Sequence, residues 1–217
     1  MKLLKKLFGL AAILFFLSSN ATITAQSLKN IFTDSESPLT YLGIDFSKSR
    51  LLDIGNPTDI RDRIYNSINQ LIVAEPKKYD LKGAFVKSNI NNNLNAVTKN
   101  NATANINDIL STNSSDFNRL KEADINAVVK NLDIEKTEGV GVLFVMEAMR
   151  KMDKKGDAAI WVTFVDMKTK KVLMTERIET KAAGGFGFRN YWASTIKNLI
   201  DLISDKKYKE WRVKYSS

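Results

Sequence analysis

Ala158-Ala159-Ile160-Trp161-Val162-Thr163-Phe164-Val165-Asp166-Met167, then Lys168-Thr169-Lys170, then Lys171-Val172-Leu173-Met174-Thr175-Glu176-Arg177-Ile178-Glu179-Thr180: this stretch decides the fold. Ile160, Val162 and Phe164 share one face of the first segment, and Ala159, Trp161, Thr163 and Val165 share the other. That alternation is the mark of a strand. In the second segment the spacing puts Val172, Met174 and Ile178 on one face. A short polar turn between two such runs predicts an antiparallel hairpin. Immediately upstream, Gly139 to Arg150 is another valine-rich strand candidate, which extends the hairpin to a meander.

Working outward, the next elements are helices. After the meander comes Gly184-Gly185-Phe186-Gly187. A helix is then predicted from about Phe188 to Ser204, with Phe188, Trp192, Ile196, Leu199 and Ile203 as its buried stripe. Before the meander, Phe117 to Leu132 reads as a helix, in which Asp124 is placed to cap a shorter piece. Near the start of the fold, Leu42, Ile44 and Phe46 alternate with Tyr41, Gly43 and Asp45, as in a strand with three apolar residues on one face. Asn56-Pro57 then opens an amphipathic helix through Ile60, Ile64, Ile68, Leu71 and Ile72 that stops before Pro76. Residues 80 to 87 fit either a strand or a helix. The expected class is α/β in the broad sense (α+β): a mixed sheet with an antiparallel C-terminal meander and helices packed on it.

Two segments lack this periodicity. Ser27 to Ser37 reads as a polar leader. Residues 88–118 hold eleven asparagines within Asn89 to Asn118, a residue that favours turns over regular structure. They are expected to form a mobile insertion with short helices around Ile90, Leu94 and Val97 and around Ile106, Ile109 and Leu110.

The chain begins with Lys2, Lys5 and Lys6 followed by the apolar run Leu7 to Leu17. That is the layout of a secretory signal, with a plausible cleavage after Ala25. About 11 apolar residues are too few to cross a bilayer, which takes about 20 in a helix. The expectation is an exported protein of one domain over residues 26–217, periplasmic or envelope-associated. Its charge of +9 falls to +6 once the three leading lysines are gone. Outside the cytosol a basic protein meets anionic lipid, envelope polymers or acidic proteins, and nucleic acid is not expected.

Cysteine and histidine are both absent. Their absence excludes histidine triads, cysteine nucleophiles, and zinc sites built on thiolate or imidazole. An all-oxygen calcium site would need an acidic loop that the sequence lacks. Glu147, Asp166, Glu176 and Glu179 are carboxylates on strands, but nothing sets two of them across a cleft as glycoside hydrolysis requires. Ser194-Thr195-Ile196-Lys197 matches a serine–lysine spacing on a helix, with the lysine expected on the solvent side. No cofactor is expected.

Two segments could bind a partner. Gly184, Gly185, Phe186, Gly187 and Arg189 stand between a strand and a helix, where backbone amides and a guanidinium can meet an anion. The glycines could equally serve only the turn. The tail interleaves Lys206, Lys207, Lys209 and Arg212 with Tyr208, Trp211 and Tyr215, a mixture suited to an anionic membrane surface. It could also pack Trp211 and Val213 onto the sheet.

Glu122-Ala123-Asp124, the run Gly139-Val140-Gly141-Val142 and the segment Val162 to Val172 with its Asp166-x-Lys168-Thr169-x-Lys171 turn resemble the α/β domain shared by the curli secretion channel subunit, the amino-terminal domain of the TolB type and related bacterial envelope lipoproteins. The opening strand and the helix from Pro57 fit the start of such a domain. The lipidated cysteine and the pore-building segments of those relatives are missing. The resemblance implies a fold and an envelope location, with no channel or catalytic activity. On these grounds the expected role is a non-enzymatic accessory or adaptor protein acting by surface recognition in an assembly, secretion or cell-wall system. The alternative is a small-molecule or lipid-head-group binding module, with Phe186, Arg189 and the asparagine-rich segment forming its pocket.

Overall fold

A computed structural model describes residues 28–134, 138–152 and 155–216. The predicted signal segment lies outside the described residues. Helix α1 (28–33) leads into strand β1 (Leu39–Asp45) and strand β2 (Arg50–Leu52). Helix α2 starts at Pro57–Asp59, passes through a π turn at Ile60–Ile64 and ends as Tyr65–Ala74. Short elements follow: α3 (Leu81–Ala84), β3 (Asn91–Asn92), α4 (Asn95–Asn101), α5 (Ile106–Ile109) and a 3-10 turn at Ser114–Asn118. Helix α6 (Glu122–Asn131) precedes the meander β4 (Val140–Met152), β5 (Lys155–Asp166) and β6 (Lys171–Lys181). Helix α7 (Gly187–Leu202) continues through a π turn (Ile203–Lys207) into α8 (Tyr208–Tyr215).

The sheet runs β3-β1-β4-β5-β6, and β2 extends the β1 side of β4. β1 pairs in parallel with β3 and β4, and β2 in parallel with β4, whereas β4, β5 and β6 pair antiparallel in sequence. Helices cover both faces, which makes an α+β three-layer arrangement. On one face, α1, α2, α3, α7 and α8 bury Phe144, Ile160, Val162, Phe164 and Ile178. On the other, α4 and α6 bury Leu143, Val145, Trp161 and Val165.

Bulges set the faces where simple alternation fails. Between Tyr41 and Gly43 the β1 register slips by one residue. Gly43 sits at φ +96°, a conformation open to glycine. Leu42 therefore packs in the α4–α6 layer while Ile44 and Phe46 pack in the other. A second slip, between Phe164 and Val165, skips Leu173. It sends Val172 to the opposite face from Met174 and Ile178, against the alternation expected of that strand.

The expected leader is in part a helix. Leu28, Ile31 and Phe32 of α1 are buried, and Phe32 packs against Phe164, Tyr208, Trp211 and Tyr215. The asparagine-rich segment does hold short helices, but they pack on the sheet through Val97, Ala104, Ile109 and Phe117. Two buried amides also do the work of a neighbouring strand for β1, because β3 pairs only with Thr40 and Tyr41. Asn69 of α2 accepts from the Ile44 amide (2.7 Å) and donates to its carbonyl (2.9 Å). Asn101 of α4 accepts from the Phe46 amide (2.6 Å) and donates to the Ile44 carbonyl (3.0 Å). A buried backbone group must find some partner, and here side chains supply it.

The π turns have a readable cause. In α7 and α8 the buried residues step Trp192, Ile196, Leu199, Ile203, Tyr208, Trp211. The five-residue step from Ile203 to Tyr208 would rotate an α-helix off its stripe. One i→i+5 bond, from the Tyr208 amide to the Ile203 carbonyl, absorbs the extra residue and keeps Tyr208 facing inward. The last helix therefore runs past Ser204 to Tyr215.

Candidate functional site

The glycine loop and the tail stand at opposite ends of one helical run. From Gly187 to Tyr215 the rise of about 1.5 Å per residue separates them by about 40 Å. The two predicted binding segments do not form one surface.

The tail is largely structural. Trp211 is 2% exposed and its indole N–H donates to Glu176. Lys207 holds Glu176 (2.7 Å) and Glu210 (2.8 Å), and Lys206 lies 3.7 Å from Glu210. The expectation of a binding tail built on Trp211 and Lys207 is corrected: both face the fold, because the π turn keeps the apolar stripe on the sheet. Lys209 and Arg212 remain on the exposed side, and Val213, placed in the packing alternative, is 78% exposed.

The loop is arranged differently. Gly184, Gly185 and Gly187 all have positive φ. A side chain on Gly185 would come within 2.7 Å of the Asn190 backbone, so only glycine lets the loop fold back over the start of α7. That fold-back leaves Phe186 98% exposed. Phe186 is the N-cap residue of α7, and no side chain caps this helix. Arg189 is exposed and donates to Asn190 Oδ1 (3.0 Å).

Two connections that sequence reading passed over meet the loop at this end. Leu52 pairs with Arg150, so β2 and β4 run out side by side and deliver Ile54 and Met152 to the same edge of the molecule. Ile54 is 87% exposed and Met152 59%. Asp53, Ile54, Lys151, Gly185, Gly187, Phe188 and Tyr191 line one shallow depression of about 390 Å³. Met152, Lys155, Gly156, Lys181 and Ala182 line a second beside it. Lys151, Lys155, Lys181 and Arg189 are exposed around the three apolar side chains, with Asp53 the half-buried acid among them. The Lys151 ammonium lies 5.3 Å from the Tyr191 ring centre. Burial pushes the Tyr191 phenol up, with the charges of Asp53 and Asp157 adding to the shift. The signal for Ile54 and Met152 was available: each is a large apolar residue between polar or glycine neighbours at the end of a strand.

A separate polar cleft of about 520 Å³ opens beyond the carboxyl end of β1, between α4 and α6. Lys48, Arg50 and Arg119 reach it, with Asn100, Asn105 and Asp108 from the asparagine-rich segment. Arg119 donates to the Lys48 carbonyl. Burial, then the neighbouring Arg50 charge, draws the Arg119 guanidinium below its usual range. Beneath the cleft, Asp45 accepts from Ser47 Oγ (2.6 Å) and Asn100 Nδ2 (2.6 Å). Burial raises the Asp45 carboxyl, and these hydrogen bonds and Lys48 lower it in part. Phe186 and Arg189 are not part of this cleft, so the pocket expected from them and the asparagine-rich segment together does not form.

The carboxylates weighed for hydrolysis each have a local partner. Glu147 is fully buried at a β4 bulge and accepts from Arg177 Nε (2.7 Å), Trp161 Nε1 (3.1 Å) and the amides of Arg119 and Leu120. Arg177 also holds Glu179, and Asp166 accepts from the Thr169 amide in the β5–β6 turn. Ser194 donates to the Tyr191 carbonyl, and Lys197 pairs with Asp201. Among the described residues there is no group of three acidic side chains placed to hold a metal, and no helix is long and apolar enough to cross a membrane.

No family model and no curated protein matches the chain. Among solved structures it is similar to the hypothetical protein CT253 from Chlamydia trachomatis, with 9% identity and a TM-score of 0.33 over 83% of this chain and 96% of that one. A likeness that slight carries no argument about function.

Proposed function

We propose that this is an exported, non-enzymatic accessory protein of the bacterial envelope that works by surface recognition, and that it docks through the end of the sheet carrying Phe186, Ile54 and Met152. One observation carries the reading. Of the six large apolar side chains exposed among the described residues, these three stand together at one end and include the two most exposed. Single exposed apolar residues are ordinary, but a cluster drawn from separate parts of the chain marks an interaction surface. Export rests on the lysine-led apolar run at the start of the chain, and the kinship with the curli-secretion and TolB-type domains belongs to the same proposal.

A photo-crosslinking residue at position 186 or 54, introduced in cells, tests it. Adducts should form from these positions and not from position 212 at the far end. Absence of adducts from 186 and 54, with adducts from 212, refutes it.

A second reading, a binding module for a small polar ligand, is favoured by the cleft that Lys48, Arg50 and Arg119 share. Arg50→Ala and Arg119→Ala would separate it from docking, because both lie outside the Phe186 end.

A further inference from the structure

We infer that the surface met by the Phe186 end is an anionic phospholipid bilayer, an inference that rests on the docking reading above and names its partner. The three apolar side chains come from three places in the chain: Ile54 from the β2-to-α2 connection, Met152 from the end of β4, and Phe186 from the β6-to-α7 connection. All three side chains stand exposed, and open hollows lie beside Ile54 and beside Met152. Exposed side chains of this kind fit a deformable apolar medium, which closes around each one. A folded protein partner would need three matching pockets.

Charge points the same way. Lys151, Lys155, Lys181 and Arg189 are exposed around these side chains, against one half-buried neighbour, Asp53. Asp157, the other nearby acid, is held by Arg150 (3.1 Å). A surplus of cations set behind apolar side chains matches a layer of phosphates over hydrocarbon, the order in which a bilayer presents them. The tail, although basic, has a single large apolar side chain exposed, Val213, because Trp211 and Tyr208 are buried.

Flotation of the chain from Gln26 onward, which keeps every described element, tests the inference with vesicles of phosphatidylcholine alone or with phosphatidylglycerol. The chain should float with the phosphatidylglycerol vesicles, and less so as salt is raised. Phe186→Ser and Ile54→Ser should each weaken partition about tenfold to a hundredfold, as expected for losing one buried large apolar side chain. Lys209→Glu with Arg212→Glu should leave partition within about twofold, since these charges lie a helix length away. Phe186→Trp adds an exposed indole to a chain whose Trp161, Trp192 and Trp211 are buried, so its emission should shift to the blue on binding. No flotation with anionic vesicles, or flotation that Phe186→Ser leaves intact, overturns the inference. Protein adducts from position 186 together with no flotation would overturn the lipid partner and leave the docking end standing; neither adducts nor flotation would remove both.

Discussion

Replacing Glu147 by Gln changes one atom type in a fully buried charged group. Glu147 Oε1 accepts the amides of Arg119 and Leu120, and Oε2 accepts Trp161 Nε1 and Arg177 Nε. A glutamine has one oxygen and one NH2. Whichever way it turns, two of the four donors face another donor. A hydrogen bond to a charged partner contributes about 1.5–3 kcal/mol, so losing two costs about 3–6 kcal/mol. Arg177 is also left with one carboxylate, Glu179, on its exposed side. Urea unfolding of wild type and Glu147→Gln at equal m-value measures the difference. Adding Arg177→Met should recover part of the loss, because the two residues share one bond and do not act independently. A loss under about 1 kcal/mol, or strict additivity with Arg177→Met, would refute the claim that this carboxylate ties the 3-10 turn and the start of α6 to the sheet.

Other outcomes follow from the same geometry. Lys87 is buried, with its ammonium donating to the carbonyls of Ile31 (2.6 Å) and Asp34 (2.8 Å), and burial pulls it down to about 8, offset in part by the Asp34 charge. Below that pH the folded state carries the full cost of a buried cation; between about 8 and 10.5 the unfolded chain holds the extra proton, so stability rises with pH. Relative to Lys87→Met, wild type should gain about 3 kcal/mol over that window in urea titrations, and a flat difference would count against it. Asn69→Leu leaves the Ile44 amide without its side-chain partner and the Ile44 carbonyl with Asn101 alone, and should cost about 1–3 kcal/mol, read as a lower urea midpoint. Trp211→Ala should cost about 3–5 kcal/mol in the same assay, while Arg212→Glu stays within about 0.5 kcal/mol. Gly185→Ala should lower the thermal midpoint, because a methyl group meets the Asn190 backbone.

The meander and the long helices were legible because their periods are unbroken: Ile160-Val162-Phe164 alternates, and Trp192-Ile196-Leu199-Ile203 turns at helical pitch. What sequence reading missed sits where one residue is inserted. The bulge at Leu42 and the one beside Leu173 flip a face, and the five-residue step to Tyr208 hides the continuation of the last helix. Alternation and pitch carry no mark of an inserted residue, since the compensating bond is made by backbone. The asparagines were read as turn formers, yet Asn101 completes the hydrogen bonding of β1, a long-range role that local propensity does not express. At the candidate site, Phe186 and Arg189 were visible because glycines flagged the loop. Ile54 and Met152 join them only through the pairing of β2 with β4, which no single stretch encodes.

β6 is the last strand of the sheet, and its eleven residues present an outer rim to the surroundings. If a second molecule laid its own β6 there in antiparallel fashion with full overlap, Lys171 would stand opposite Lys181 and Glu176 opposite its twin. Like charges placed face to face oppose such pairing, and a crowded population of these molecules is thereby kept from zipping into ribbons along the rim.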